Sequence, residues 1–128
     1  MKLVTLTAAA CLPTPVVLFQ TPIDIVKMDI EGSEWPSLEA MFAENSLKNV
    51  KQFVFEVHVT QGRANVRQFT LVHKLETLGF RKFGVRVNHY SRFVTSSGRR
   101  LARSYELSYI NVEFLRQYLK VYHQDLLV

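Results

Sequence analysis

The positions of apolar residues divide the chain from residue 23 onward into alternating strands and helices. The segment "IDIVKMDI" (residues 23–30) is a nearly continuous apolar run with several β-branched residues, which is typical of a strand buried on both faces. The segment "KQFVFEVHV" (residues 51–59) has the same character. Both segments are therefore predicted to be strands.

Between these two strands, apolar residues recur at helical spacing. Ser33 stands where an N-cap belongs, and Pro36 falls in the first turn, where a missing N–H removes no hydrogen bond. The pattern predicts a helix over residues 35–45, and its apolar stripe consists of Trp35, Leu38, Met41 and Phe42.

The second half of the chain continues this alternation. A helix is predicted from Asn65, as its cap, to about residue 78, and Gly79 stands where a C-terminal glycine belongs. Residues 80–94 alternate openly, and residues 105–114 read as another strand. Because a polar, turn-rich segment separates them, these last two strands are predicted to form a hairpin. The apolar side of the second helix is expected to comprise Phe69, Val72, Leu75 and Leu78.

This order of elements predicts an α/β fold. Strand–helix–strand units imply parallel pairing with right-handed crossovers, and the final hairpin adds an antiparallel partner at one side. The sheet has fewer strands than a complete nucleotide-binding domain needs. Residues 115–128 are expected to form a closing helical tail.

Residues 1–22 form a separate N-terminal segment with two interpretations. One lysine, an apolar run over residues 3–12 and small residues near Cys11 resemble a short, weak secretory signal without a clear cleavage site. Alternatively, the segment is an irregular arm or an added strand. The apolar run is too short to span a membrane, and the compartment stays open.

Composition and charge narrow the classes of function. The 128 residues carry a formal charge of +5, but lysine and arginine are dispersed rather than clustered. This dispersion argues against a nucleic-acid partner. A single cysteine excludes an internal disulfide.

Polar side chains follow the ends of the first two predicted strands. Asp29, Glu31 and Gly32 lie at the end of the first, and Glu56 and His58 lie at the end of the next. Ligands in open α/β sheets bind beyond the carboxyl ends of the strands. If the strands are neighbours, these groups converge and can serve as acid, base or metal ligands.

Each of these residues also has a structural interpretation. Asp29 can cap the following turn, and Glu34 near a helix start is favourable for the helix dipole alone. His58 can be a satisfied sheet histidine. Glu56 is harder to explain in this way, because a charge inside an apolar strand is costly to bury without a partner.

The stretch "IDIVKMDIEGSEWPSLEAM", followed by "VFEVH" and "LGFRKFGVRVN", resembles the FkbM-type methyltransferases over residues 23–114. Such proteins are class I S-adenosylmethionine-dependent methyltransferases with a seven-stranded, Rossmann-like sheet that ends in an antiparallel hairpin. The resemblance implies that residues 23–30 are the fourth strand, residues 52–59 the fifth, and the hairpin strands the last two.

The resemblance also implies roles for the strand-end residues. Asp29 and Gly32 would bind S-adenosylmethionine, and Asp29, Glu31 or His58 would act in catalysis by removing the acceptor's proton. The family is associated with O-methylation, so the expected acceptor is a hydroxyl of a small molecule or a glycan. A divalent metal held by Asp29, Glu31 and Glu56 is a less favoured variant.

One departure from the family pattern limits this expectation. No glycine precedes Gly32, so the Gly-rich turn that holds the cofactor in class I methyltransferases is not encoded. Residues 23–114 are therefore expected to be the C-terminal half of a partial methyltransferase domain, with weak or absent catalysis. The alternatives are a non-catalytic interaction protein that self-associates through an open sheet edge, and a metal-dependent hydrolase using Asp29, Glu31, Glu56 and His58.

Overall fold

A computed structural model describes residues 1–7, 21–58 and 66–125, with side chains described up to residue 121. These residues form seven strands, three α-helices and one 3₁₀ helix. The elements are β1 (Leu3–Thr7), β2 (Ile23–Asp29), α1 (Glu34–Ala43), the 3₁₀ helix (Ser46–Asn49), β3 (Val50–His58), α2 (Val66–Thr77), β4 (Phe80–Val87), β5 (Arg92–Val94), β6 (Arg100–Ala102), β7 (Ser104–Asn111) and α3 (Val112–Asp125).

The main sheet has five strands in the order β1-β2-β3-β7-β4. The first three strands are parallel, and β7 runs antiparallel to both of its neighbours, β3 and β4. The predicted α/β class is confirmed in this coarse form, as is the antiparallel pair at one end of the sheet. The pairing of β1 with β2 places residues 3–7 in the sheet as an added strand.

The region predicted as one strand over residues 80–94 is two strands. β4 ends at Val87, and β5 pairs with β6 in a separate two-stranded hairpin. The alternation of Phe83, Val85 and Val87 stops at Asn88, which is where the structure places the break. The antiparallel partner of β4 is β7, which follows this small hairpin in the chain.

One face of the sheet carries the apolar core. Val26, Met28, Phe53, Phe55 and Tyr109 are fully buried there. Burying each such side chain contributes about 1.5–3 kcal/mol. The same core cluster includes Leu38 and Met41 of α1, and Leu71 and Leu75 of α2.

The opposite face of the sheet is more polar and less covered. Ile25, Lys27 and Asp29 on β2 are only half-buried, so the prediction that this strand is buried on both faces is wrong for the described residues. Lys27 Nζ donates to Glu106 Oε2 across the sheet at 2.9 Å. Paired charges thus occupy positions where a fully covered strand would carry apolar residues.

The turn between β2 and α1 positions the strand-end acids. The N–H of Ser33 donates to the carbonyl of Ile30 at 3.2 Å, and both Glu31 and Gly32 have positive φ, at 52° and 97°. Helix α1 begins at Glu34, one residue earlier than predicted, with Ser33 as its N-cap. The Ser33 side chain makes no capping hydrogen bond, so only its position, not its expected interaction, is confirmed.

Other predicted boundaries shift by a few residues. Helix α3 begins at Val112, so the strand predicted over 105–114 ends earlier and the helical tail begins before residue 115. Gly79 has a φ of +90°, as its predicted place after a helix requires. Asn65 as a cap and the strand end at Val59 lie outside the described residues.

The buried side of α2 differs from the predicted one. Leu71 and Leu75 are buried and Val72 packs against the core, whereas Phe69 and Leu78 are exposed. In the part of the chain that the structure describes, no helix combines the length and apolarity needed to cross a bilayer.

Candidate functional site

Two carboxyl groups meet where the neighbouring strands β2 and β3 end. Asp29 lies one residue beyond Met28, which pairs with Phe55, and Glu56 follows Phe55. Burial raises the pKa of Asp29, and the nearby charges of Glu56 and Glu31 and a hydrogen bond with Glu56 raise it further. The Oδ1 atom of Asp29 is buried and has no hydrogen-bond partner among the described residues.

Glu56 titrates in the opposite direction. Burial alone would raise the pKa of its carboxyl, but the Asn88 side-chain amide, which donates to Oε1 at 3.0 Å, helps to hold the pKa below its ordinary value. The hydrogen bond with Asp29 acts in the same direction. As the pH falls, Asp29 therefore takes up a proton before Glu56 does.

His58 at the end of β3 lies between two further acids. Its Nδ1 is 2.8 Å from Oε1 of Glu34, and its Nε2 is 3.6 Å from Oε2 of Glu31. Glu34 is fully buried, at 0% exposure, whereas the side chain of Glu31 is 75% exposed and that of His58 is 22% exposed. One ring nitrogen thus faces the protein interior and the other faces the more open side.

The structure brings the predicted site residues together. Asp29, Glu31, Gly32, Glu56 and His58 all lie at the carboxyl ends of β2 and β3, which are neighbours as the prediction required. This placement follows the rule that ligands bind beyond the carboxyl ends of parallel strands. The catalytic and cofactor-binding roles assigned to these residues stay predictions.

Two residues of the candidate site, Glu34 and Asn88, could not be recognised from the sequence. Glu34 was interpreted mainly as a residue favourable for the helix dipole, but its carboxylate is buried against His58 and also accepts the backbone N–H of Gly32 at 3.1 Å. Asn88 was not among the predicted site residues, but its side chain reaches Glu56. It does so because β7 lies between β3 and β4, and the Ser104 carbonyl of β7 accepts the Asn88 backbone N–H. Neither contact has a local signal, because each joins residues far apart in the chain.

A cleft of about 300 Å³ adjoins Glu56 on the polar face of the sheet. Its lining combines charged, amide and aromatic side chains, among them Lys27, Arg86, Asn88, Tyr90 and Glu106. Such a surface suits a polar ligand that both donates and accepts hydrogen bonds.

Within the described ranges, no three histidine, cysteine, aspartate or glutamate side chains are grouped closely enough to hold a metal ion. The strand-end acids instead pair with one another, with His58 and with Asn88.

The fold and this edge of the sheet together define an α/β domain with a candidate small-ligand site at the carboxyl ends of parallel strands. Residues 16–86 match the methyltransferase FkbM domain family. Because the match covers more than half of the 128 residues, the chain belongs to that family.

Curated relatives of the chain carry a related name. The chain is 34% identical over 70 residues to the probable methyltransferase-like protein 24 of Rattus norvegicus, a match covering 48% of this chain and 19% of the relative. The protein of the same name from Homo sapiens gives the same identity and coverage. The chain thus spans about a fifth of the length of these relatives. No solved structure matches the chain.

Proposed function

We propose that this domain serves S-adenosylmethionine-dependent methyl transfer to a hydroxyl oxygen. The observation that carries the proposal is that a member of the FkbM methyltransferase family has an imidazole and several carboxylates converging at the carboxyl ends of β2 and β3. Methyl transfer to oxygen needs a group that removes the acceptor's proton, and this edge of the sheet supplies one.

The sheet arrangement supports a Rossmann-like, class I assignment. Three parallel strands are followed by an antiparallel pair at one end of the sheet, which agrees with the last strands of the sheet that the resemblance implies. In that assignment β2 and β3 are the fourth and fifth strands. Their ends are where an α/β sheet binds its ligand.

Asp29 and Gly32 are the residues that would hold the cofactor. The buried Oδ1 of Asp29 has no partner among the described residues, and it can accept a hydrogen bond from an amino or hydroxyl group of the cofactor. A side chain at Gly32 would meet nothing within 4 Å, so the turn borders open space. When bound, S-adenosylmethionine supplies a methyl group on a positively charged sulfur.

His58 is the base in this proposal. Its Nε2 lies toward the exposed Glu31, whereas Nδ1 lies against buried Glu34. His58 would take the proton of the acceptor hydroxyl, whose oxygen would receive the methyl group that the cofactor supplies. The neighbouring carboxylates would stabilise the positive charge that His58 gains.

The acceptor would occupy the cleft beside Glu56. Its charged and amide side chains offer hydrogen bonds to several hydroxyls, and Tyr90 adds a fully exposed aromatic ring. This lining fits a polyhydroxylated small molecule or a glycan better than an apolar acceptor.

Calorimetric titration of the purified chain with S-adenosylhomocysteine tests the cofactor site. We expect micromolar binding by the wild type and at least about tenfold weaker binding by Asp29→Ala, since a hydrogen bond to a charged group contributes about 1.5–3 kcal/mol. The matched control is Asp24→Ala, at the opposite end of β2, where the carboxylate pairs with Lys51 at 2.6 Å. Its affinity should equal that of the wild type.

Two outcomes would overturn this assignment. A folded wild-type chain that binds no S-adenosylhomocysteine would favour the non-catalytic interaction protein. Equal affinities of Asp29→Ala and Asp24→Ala would remove Asp29 from the cofactor site. Circular dichroism of each variant verifies that a loss of binding is not a loss of fold.

A further inference from the structure

Glu34 is an acidic residue that is completely buried at the first position of α1. A buried carboxylate is costly unless it is paired and hydrogen-bonded. Its Oε1 atom accepts the backbone N–H of Gly32 at 3.1 Å and lies 2.8 Å from Nδ1 of His58. Glu34 thus connects the β2–α1 turn to the end of β3.

We propose that Glu34 is a positioning residue that fixes the tautomer of His58. An ionised carboxylate only accepts hydrogen bonds, so the hydrogen of a neutral imidazole must sit on Nδ1 when this nitrogen contacts Glu34. The lone pair is then on Nε2. This inference rests on the proposed function for its catalytic meaning, but the tautomer itself does not depend on it.

The surroundings of Nε2 show which side of the site the basic nitrogen faces. Nε2 is 3.6 Å from Oε2 of Glu31, whose side chain is 75% exposed. The basic nitrogen therefore faces the open side of the site, while the interior contact holds the ring. A base oriented by a third group is the general pattern by which an enzyme activates a weakly acidic hydroxyl.

Carboxyl side chains surround the His58 ring on several sides. Glu31 and Glu34 contact the ring, and Asp29 on β2 and Glu56 on β3 interact with it electrostatically. On the remaining side, β7 pairs the uncharged Ser104 with His58. Among the described residues, His58 is therefore faced by acids from the turn, α1, β2 and β3.

Nuclear magnetic resonance of the imidazole nitrogens tests the proposal without cofactor or acceptor. At a pH where His58 is neutral, we expect the wild type to carry the hydrogen on Nδ1. In Glu34→Leu no side-chain acceptor faces Nδ1, so the hydrogen should move to Nε2 in at least part of the population. Glu39→Leu, a matched change at the residue of α1 that pairs with Arg67 outside the site, should leave the tautomer unchanged.

The wild-type spectrum alone tests the proposal if Glu34→Leu does not fold. Hydrogen on Nε2 in the wild type would overturn the proposal, and so would an unchanged tautomer in a folded Glu34→Leu. If the chain binds no S-adenosylhomocysteine, the proposed function fails but the tautomer experiment keeps its meaning. With a methyl acceptor in hand, Glu34→Leu should lower kcat by up to about 10²–10⁴-fold, the contribution of a general base, with unchanged affinity for S-adenosylhomocysteine.

Discussion

Glu31 holds a backbone conformation that residues with side chains rarely adopt. Its φ is 52°, and the neighbouring Gly32 has a φ of 97°. The left-handed region costs an ordinary L-residue roughly 1–2 kcal/mol, and such strain is concentrated at functional sites. The turn keeps a carboxylate near Nε2 of His58 at the expense of stability.

Replacing Glu31 by glycine should therefore stabilise the fold. We expect Glu31→Gly to raise the free energy of unfolding by roughly 0.5–1 kcal/mol, because the steric relief exceeds the added entropy of the unfolded chain. Asn45, with a φ of 54°, is the matched control outside the site. Asparagine tolerates this region, so Asn45→Gly should gain less. Urea denaturation measures the free energy of unfolding of both variants. An increase for Glu31→Gly that is equal to or smaller than that for Asn45→Gly would contradict the proposal that Glu31 is strained.

At the residue scale, the sequence indicated where the site lies but not how its side chains pair. Asp29, Glu31 and Gly32 are adjacent in the chain, so their grouping at a strand end could be predicted. The partner of Glu34 is His58, 24 positions away, and this contact exists only because β2 and β3 are neighbours. Hence the helix-dipole interpretation of Glu34 was the simplest one that local sequence allowed.

At the scale of elements, β2 and β3 bring two acids side by side. The raised pKa of Asp29 has burial as its main cause, followed by the charge of Glu56. A raised carboxyl pKa in the folded state means that its stabilising contribution is full below the ordinary value of about 3.8 and is lost as the pH rises through the raised pKa. The neighbouring carboxyl groups of Asp29 and Glu56 therefore destabilise the folded state near neutral pH.

Asp29→Asn should remove this pH-dependent loss. We expect its free energy of unfolding to exceed that of the wild type by about 0.2–1 kcal/mol near pH 7, the range for like charges on facing strand residues, and to equal it at about pH 3. Urea denaturation at both pH values measures the difference. A wild type that is more stable than Asp29→Asn near pH 7 would contradict it.

Asp24→Asn is a control on the same strand, for which the change in the free energy of unfolding should have the opposite sign. A hydrogen bond from Lys51, then one from the Lys2 backbone, lowers the pKa of Asp24. Its contribution is present above the ordinary pKa and is lost as the pH falls through the lowered one. Asp24→Asn should therefore be less stable than the wild type near neutral pH, with the difference vanishing in acid.

Strongly periodic elements were the ones that the sequence predicted well. β2, α1 and β3 agree with their predicted ranges to within two residues, because their apolar patterns are unambiguous. The pattern failed where tertiary contacts decide burial: Phe69 fits the apolar stripe of α2 but is exposed, while Leu71 packs into the core. The short strands β5 and β6 carry too few residues for any period to show.

At the scale of the whole molecule, β1 is an edge strand of the main sheet as far as the described residues show. This strand pairs only with β2 among the described residues, and Leu3 on it is exposed. Exposed apolar residues also occur along α3, including Leu115, Tyr118 and Val121. Unpaired edges and apolar surface favour association with other chains. We therefore propose self-association through the β1 edge.

A lysine on the edge strand should weaken this association. We expect the wild type to show a concentration-dependent mass in sedimentation experiments and Leu3→Lys to shift toward monomer at the same concentration, because charged residues block edge pairing. Val66→Lys, the same type of change at an exposed residue of α2, should behave like the wild type. A wild type that is monomeric at every concentration would contradict the proposal.

The position of β7 has a consequence for how the chain acquires its structure. β7 lies between β3 and β4 although it follows both in sequence, and the ion pair from Lys27 to Glu106 joins residues 79 positions apart. Until β7 is present, β3 has an open edge and β4 has no partner in the main sheet. Such distant pairing slows folding, since loop-closure entropy must be overcome first. During synthesis, the strand that completes the middle of the sheet thus leaves the ribosome after both strands that it joins.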